Sequence, residues 1–274
     1  MSYIIHIGDI DMKDLDGFYN EYVFVKNLNG KSIKELNPLL RELIHYLFYD
    51  IKDTDLVKCW RNHYPQKADI LIKVNNHIKG VSIKRGMKNS LHVDCISEFI
   101  HFLIENKVPR DIIIKYLKYH YADGTTNGKG KIRLSVEEYK KTHQRDIDKI
   151  NRVFNQEELL RKAIERFVIK GNNSKYYIDA LIHGEVEDFL WLSTESIVSI
   201  ILSKKNDYSS AVHFGPLVCQ PQSRCLNHNP LYEKDRFKVQ IKWYSLNDDI
   251  IEYMNNEVVY MVESLEHLEY MLSN

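Results

Sequence analysis

The alternation of apolar and polar residues is clearest between residues 67 and 98, where it predicts two strands and then a helix. Ile70–Val74 is apolar at four of its five positions, and His77–Lys84 alternates with the period of two that is typical of a half-buried strand. Asn75 and Asn76 join the two segments, and asparagine tolerates the positive φ that a tight hairpin turn requires. The stretch therefore predicts a β-hairpin.

Helical periodicity prevails in much of the remaining chain. An apolar stripe over residues 39–51 predicts a helix, which either the capping-box spacing from Ser32 to Glu35 or the Asn37-Pro38 pair can begin. Further helices are predicted from near Asp94, at residues 111–121, after Ser135, after Asn155-Gln156, at residues 185–202 and at residues 258–271. Two more strands are predicted at residues 175–183 and 237–243. Residues 3–25 have no clean periodicity, and we expect a short strand and a loop there.

Two segments are predicted to be loops. Residues 122–131 are rich in glycine and basic, but they lack the Gly-Lys-Ser/Thr ending of a phosphate-binding P-loop, so we predict a mobile loop and no nucleotide site. Residues 203–229 are irregular over a length that is uncommon unless the segment is functional or mobile. They include four zinc-type ligands whose spacing matches no standard finger, namely His213, Cys219, Cys225 and His228. A zinc site, or an HNH-type nuclease built on Asn227-His228-Asn229, is therefore disfavoured.

Composition indicates an ordinary globular protein, with 44% hydrophobic and 28% charged residues in a chain of 274. No apolar stretch is long enough to span a membrane, no secretory signal is recognised, and four cysteines do not make a disulfide framework. We therefore expect a soluble cytoplasmic protein without a membrane partner. We predict a single domain with a core at about residues 30–108 and 172–245, a helical insert at about 109–170 and an acidic C-terminal region at 246–274.

Charge is distributed unevenly although the formal net charge is zero. Residues 55–90 contain eight Lys or Arg against two Asp, whereas residues 244–274 contain seven Asp or Glu and no Lys or Arg. A basic segment around the hairpin would attract a polyanion such as a nucleic acid. The alternative is that solvated charges are segregated by chance.

The candidate chemistry lies on the predicted hairpin and the helix that follows it. Asp69 opens the first strand, and Ser82 and Lys84 point to the same side near the end of the second because they are two residues apart. Glu98 lies in or near the first turn of the helix. Two carboxylates, a hydroxyl and an amine can therefore converge on one site, and Mg²⁺ accepts one or two protein carboxylates together with water.

This ordered set of residues resembles the PD-(D/E)xK nuclease superfamily, the family of many restriction endonucleases. Asp69 matches the Asp of that motif and Lys84 matches its Lys, whereas Ser82 stands where most members have an acidic residue. The resemblance extends to a subgroup that makes this replacement and places a Glu on the next helix. Lys84 and Glu98 have the thirteen intervening residues that this arrangement requires.

The resemblance implies an α/β fold with a mixed central sheet flanked by helices, here with a helical insert. It implies a Mg²⁺-dependent endonuclease, of the type II restriction kind, that acts as a homodimer on double-stranded DNA. Asp69 would be the principal metal ligand and Glu98 the second carboxylate. Lys84 would orient water and neutralise charge in the transition state, and Ser82 would hold a metal-bound water.

Basic and amide side chains outside the motif are the candidates for contact with the nucleic acid, since Arg, Gln and Asn can bond bidentately to base edges. They are Arg85, Lys88, Lys129, Lys131, Gln220, Gln222, Arg224 and Asn227. One alternative function is a non-catalytic nucleic-acid-binding or regulatory protein with a degenerate nuclease core, because the usual acidic residue is missing at Ser82. Another is a nuclease that acts on RNA or branched DNA.

Overall fold

The computed structural model describes residues 12–63, 67–86, 89–130, 133–172, 175–205, 211–224 and 229–257, with the side chains of residues 12–16 left aside. The chain divides into two compact units, Met1–Gly86 with Ile169–Thr194 and Met87–Val168 with Glu195–Asn274. The boundaries of these units differ from those of the predicted core and insert. Each unit has its own sheet.

The first unit is built on a mixed five-stranded sheet in the order β1-β2-β3-β5-β6, in which only β3 and β5 run parallel. Its strands are β1 (Val57–Arg61), β2 (Ile70–Val74), β3 (His77–Lys84), β5 (Ala180–Glu185) and β6 (Asp188–Ser193). Its helices are α1 (Met12–Leu28), α2 (Pro38–Leu47) and a 3₁₀ turn (Ile33–Glu35). The bounds of β2 and β3 are those predicted for the hairpin, and Asn75 in its turn has φ of 53°.

One continuous apolar core joins the two helices of the first unit to its sheet. It includes Phe24 and Leu28 of α1, Leu40 and Ile44 of α2 and, among other strand residues, Ile72. The predicted helix at residues 39–51 is present as α2, although α2 ends at Leu47. Of the two proposed start signals, Asn37-Pro38 begins α2, since the Asn37 side chain accepts a hydrogen bond from the Leu40 amide. The capping box of Ser32 and Glu35 begins the preceding 3₁₀ turn.

The N-terminal prediction was wrong for residues 12–25, which belong to helix α1 where we expected a strand and a loop, and its part at residues 3–11 lies outside the described residues. The buried positions on this helix are Asn20, Phe24 and Leu28, spaced four apart as a helix requires. The first of them is polar, and it is satisfied by donating to the carbonyl oxygen of Gly184 at 3.0 Å. Only Phe24 and Leu28 are both buried and apolar, and two such residues are too few to reveal a helical period in the sequence.

The second unit contains a four-stranded antiparallel sheet in the order β4-β9-β8-β7. Its strands are β4 (Asn89–Cys95), β7 (His213–Phe214), β8 (Leu217–Pro221) and β9 (Lys238–Trp243). Its helices are α3 (Ile96–Glu105), α4 (Arg110–Tyr121), α5 (Val136–Phe154), α6 (Glu157–Ile164), a π-helix (Glu165–Lys170), α7 (Thr194–Ser203), a 3₁₀ helix (Pro230–Phe237) and residues 246–257. The last two residues of the π-helix and the first residue of α7 belong to the first unit. The strand predicted at 237–243 and the helices predicted after residues 111 and 135 are confirmed.

Three parts of the prediction fail in or next to this unit. Residues 185–202 form strand β6 and then α7 instead of one helix, because a short apolar run has no period that separates strand from helix. The segment 203–229, expected to be irregular, contains β7 and β8. Strand β4 precedes α3 and was not predicted. The helix expected at 258–271 lies outside the described residues.

No helix in the described part of the chain combines the length and the apolar character needed to cross a bilayer.

Candidate active site

The β2–β3 hairpin brings Asp69, Ser82 and Lys84 together, as the strand alternation predicts. Ile70 is opposite Val81 in the ladder, so Asp69 lies just before the first paired residue and beside Ser82. The amide of Asp69 donates to the carbonyl oxygen of Val81 at 2.9 Å, which extends the pairing by one bond. Because the register is fixed by the two-residue turn, the backbone alone sets the approach of these side chains.

One oxygen of the Asp69 carboxylate is fully occupied by the hairpin. Its Oδ2 accepts hydrogen bonds from the Ser82 hydroxyl at 2.8 Å, the Ile83 amide at 2.6 Å and the Lys84 ammonium at 3.2 Å. Ser82 is only 4% exposed, so its hydroxyl is a buried donor that holds the carboxylate in place. The other oxygen, Oδ1, has no bonded partner among the described residues and remains available as a ligand.

A second carboxylate of the same unit, Glu21 on α1, is electrostatically coupled to Asp69 and Lys84. The pKa of Glu21 is raised, first because the side chain is desolvated by burial and then because the Asp69 charge repels its ionised form, while Arg61 and Lys84 oppose the rise. The Glu21 side chain is 17% exposed. A raised pKa on a carboxyl beside another carboxylate is typical of functional sites.

Arg61, the last residue of β1, fixes the position of Glu21. Its Nε donates to Glu21 Oε2 at 2.9 Å, and its guanidinium lies 4.8 Å from the centroid of the Phe18 ring one turn earlier on α1. The other oxygen of Glu21 has no hydrogen-bond partner among the described residues. Sequence reasoning missed Glu21 because it missed α1, whose two buried apolar residues, Phe24 and Leu28, are too few to reveal the helix.

Glu98, the predicted second metal ligand, belongs to the second unit. It is exposed in the first turn of α3, where it borders a shallow groove lined by Ile100, Ile104 and Leu117. Its assignment as a ligand remains a prediction.

The donor set on the first unit fits Mg²⁺ chemically. Asp69 and Glu21 each present a carboxylate oxygen without a hydrogen-bond partner in the described part of the chain, and Mg²⁺ prefers one or two such oxygens with water completing its shell. No group of three or more His, Cys, Asp or Glu side chains that could hold a metal ion is found among the described residues. A metal here would therefore depend on two protein carboxylates and water.

The residues predicted to contact the nucleic acid differ in their exposure to solvent. Arg85 is exposed and pairs with Glu185 at 2.6 Å, Lys129 is exposed, and Gln220 and Gln222 are half-buried on and just after β8. Lys88, Lys131 and Asn227 lie outside the described residues, as do Cys225 and His228.

Arg224 was predicted to contact the nucleic acid, and this prediction was wrong. The residue is 3% exposed and its guanidinium bonds to the main chain. It donates to the carbonyl oxygens of Leu134 at 2.8 Å, Tyr119 at 3.2 Å and Ser135 at 3.2 Å. A guanidinium so bonded holds loops together and is not available to base edges.

The glycine-rich loop after α4, which we predicted to be mobile, is held by several hydrogen bonds. Arg236 donates to the carbonyl oxygens of Gly128 and Gly130, and Asp123 accepts from the amides of Thr125 and Gly130. These bonds hold the backbone of the loop, while Lys129 on it is exposed and stays a predicted contact.

His120 makes the stability of the second unit depend on pH. It is fully buried, and burial together with the charges of Arg133 and Arg224 lowers its pKa to about 3. Below pH 6.5 the unfolded chain binds a proton that the folded chain excludes, so stability is lost as the pH falls from about 6.5 toward 3, by about 1.4 kcal/mol per unit. Urea denaturation between pH 7.5 and 5 is expected to show this extra slope in the native protein and not in His120→Leu. Equal slopes would contradict it.

Comparison with solved structures finds a crystal structure of restriction endonuclease MspI in complex with its cognate DNA. The TM-score is 0.51 at 13% sequence identity, and the match covers 82% of this chain and 87% of that one. No protein-family model and no curated protein matches the sequence. At this identity the likeness shows the fold alone. The mixed five-stranded sheet with its helices is restriction-endonuclease-like, and the predicted fold class is confirmed.

Proposed function

We propose that this protein is a Mg²⁺-dependent endonuclease that hydrolyses phosphodiester bonds of double-stranded DNA, of the type II restriction kind. The observation that carries the proposal is the convergence of Asp69, Ser82 and Lys84 at the end of one hairpin, with Glu21 coupled to them across the same unit. The restriction-endonuclease-like fold supports it, and so does the basic character of residues 55–90.

In this mechanism Asp69 and Glu21 would hold the metal, with Glu98 as the alternative second carboxylate. Mg²⁺ bound there would lower the pKa of a water and polarise the scissile phosphate. Lys84 lies beside Asp69 and provides a fixed positive charge for the oxygens on which negative charge develops, and it orients the attacking water. Ser82 is a positioning residue, because its hydroxyl donates to Oδ2 of Asp69 and would keep that carboxylate oriented for the metal.

Lys84 and Asp69 hold each other in position through their ion pair. The Lys84 side chain is 18% exposed and that of Asp69 23% exposed, so their ion pair is only partly screened by solvent. The pair holds the lysine at the strand end, where a phosphate that displaces its contact with Asp69 would find the ammonium already in place. Preorganised charge of this kind costs no rearrangement during the reaction.

Incubation of purified protein with plasmid and phage DNA, in Mg²⁺ and in EDTA, tests the proposal. We expect discrete fragments in Mg²⁺ and intact DNA in EDTA. A smear would indicate a nuclease without sequence preference, and cleavage confined to RNA or branched DNA would change the substrate. Failure to cleave every substrate in the panel would refute nuclease activity. A homodimer would place one such site on each strand, and light scattering of the protein with a duplex would detect it as two chains.

One observation favours a second function, a DNA-binding or regulatory protein without catalysis. The position where the nuclease motif has its second acidic residue is occupied by Ser82, a buried hydroxyl that carries no charge. Such a protein would bind duplex DNA equally well in Mg²⁺ and in EDTA and would leave it intact.

A further inference from the structure

The sheet of the second unit has two unlike faces. Its buried face carries Leu217, Cys219, Val239, Ile241 and Trp243. The residues between them on β8 and β9 point to the other face and are half-buried. We call Ser90, Gln220, Gln240 and Lys242 on that side the glutamine face.

The ladder places the two glutamines next to each other. Gln220 of β8 is directly opposite Gln240 of β9, and Ser90 of β4 is opposite Lys242. Residues opposite each other on one face have Cβ atoms about 5 Å apart. The two amides therefore form one continuous hydrogen-bonding surface.

Each glutamine is fixed at one end of its amide. Gln240 donates through Nε2 to the Ser90 hydroxyl at 2.8 Å, and Gln220 accepts through Oε1 from the Tyr244 hydroxyl at 2.8 Å. Within the described residues, the opposite ends, Oε1 of Gln240 and Nε2 of Gln220, have no hydrogen-bond partner. The face thus presents an acceptor and a donor side by side, on side chains whose rotamers are already restrained.

The charge of this face suits an anionic partner. The outward positions of the three strands, where they are described, carry Lys238 and Lys242 and no carboxylate, although Lys238 pairs with Asp235 of the preceding 3₁₀ helix. A single-stranded nucleic acid would need aromatic rings on which its bases stack. In the described part of the chain the aromatic residue beside the amides is Tyr244, whose hydroxyl holds Gln220 and whose ring lies 5.6 Å from Nζ of Lys242. Base edges of a duplex are the better fit.

We propose that the glutamine face reads base edges of double-stranded DNA, with Gln220 and Gln240 contacting an A·T pair. Adenine presents the N7 acceptor beside the N6 donor in the major groove, and this pattern complements the donor of Gln220 and the acceptor of Gln240. Lys242 adds electrostatic attraction to the same surface. The inference rests on the proposed function and adds to it the residues that determine sequence preference.

The test is selection from a pool of randomised duplexes. Protein carrying Lys84→Met, which keeps DNA intact, is compared with the same protein carrying also Gln220→Leu or Gln240→Leu. The control is Gln156→Leu, since Gln156 is an exposed glutamine at the start of α6. We expect the parent and the control to enrich duplexes with one fixed A·T pair. Each glutamine variant should lose about tenfold or more of that preference, with affinity for unrelated DNA unchanged.

The outcomes separate this inference from the proposed function. If both glutamine variants enrich the same duplexes as the parent, or if the parent binds duplexes without preference, the glutamine face does not read bases, while nuclease activity of the native protein is unaffected. If the parent binds no duplex and the native protein cuts no DNA, the proposed function fails and the inference with it. Unchanged melting temperatures of the variants exclude unfolding as the cause of a lost preference.

Discussion

Replacing Lys84 with methionine is expected to reduce DNA cleavage by about 10³-fold or more while leaving DNA binding largely intact. Methionine keeps most of the length of the side chain and removes the ammonium, together with its bond to Asp69 and the charge that stabilises the transition state. Asp69→Asn is expected to reach a similar loss, because an amide is a poor Mg²⁺ ligand and cannot pair with the lysine. Single-turnover cleavage of a plasmid in Mg²⁺, with duplex binding measured in parallel, provides the two readouts.

Lys79 offers a matched control on the same strand. It forms a similar ion pair, with Nζ at 2.9 Å from Oδ1 of Asp179, but lies near the other end of β3. Lys79→Met removes an equivalent charge and pair and is expected to cleave at the native rate. Full activity in Lys84→Met would refute the assignment of the site. Equal losses of activity in Lys84→Met and Lys79→Met would mean that the total charge on β3 matters and the position of Lys84 does not.

Replacing Glu21 with glutamine is expected to lower cleavage by about 10²-fold or more and to raise the Mg²⁺ concentration required. Even groups that only support a metal ligand typically contribute 10- to 100-fold, so a direct ligand should contribute at least as much. The substitution is expected to leave the melting temperature unchanged or to raise it. Because the pKa of Glu21 is raised in the folded protein, its ionised form opposes folding at neutral pH, and a neutral amide relieves that cost.

Glu98→Gln is the partner experiment, since it removes the carboxylate predicted from sequence. If Glu21 supplies the second ligand, Glu98→Gln retains activity at ordinary Mg²⁺ concentrations. If Glu98→Gln loses cleavage activity while Glu21→Gln retains it, the second metal ligand is Glu98 on α3. Retention in both would leave Asp69 as the sole protein carboxylate on the metal.

The features that the sequence did not predict depend on contacts between residues far apart along the chain. Glu21 and Arg61 are 40 residues apart and meet only because Phe24 and Leu28 bury α1 in the core of the first unit. Arg224 and the carbonyl oxygens that it bonds are about 90 or more residues apart, and no local pattern indicates that a polar side chain in an irregular segment will be buried. In each case the partner that changes the interpretation comes from a distant element.

Sequence by itself determined the hairpin and the meeting of Asp69, Ser82 and Lys84 on it, because strand alternation and a two-residue turn fix which side chains share a face. The resemblance carried by these residues and Glu98 also implied the fold class, which is confirmed. Only the tertiary structure decided that the charges of Asp69 and Lys84 act on Glu21, that Arg224 supports loops and that Gln220 faces Gln240. Those neighbours are set by how helices and strands bury their apolar sides against each other, and local periodicity carries no information about that.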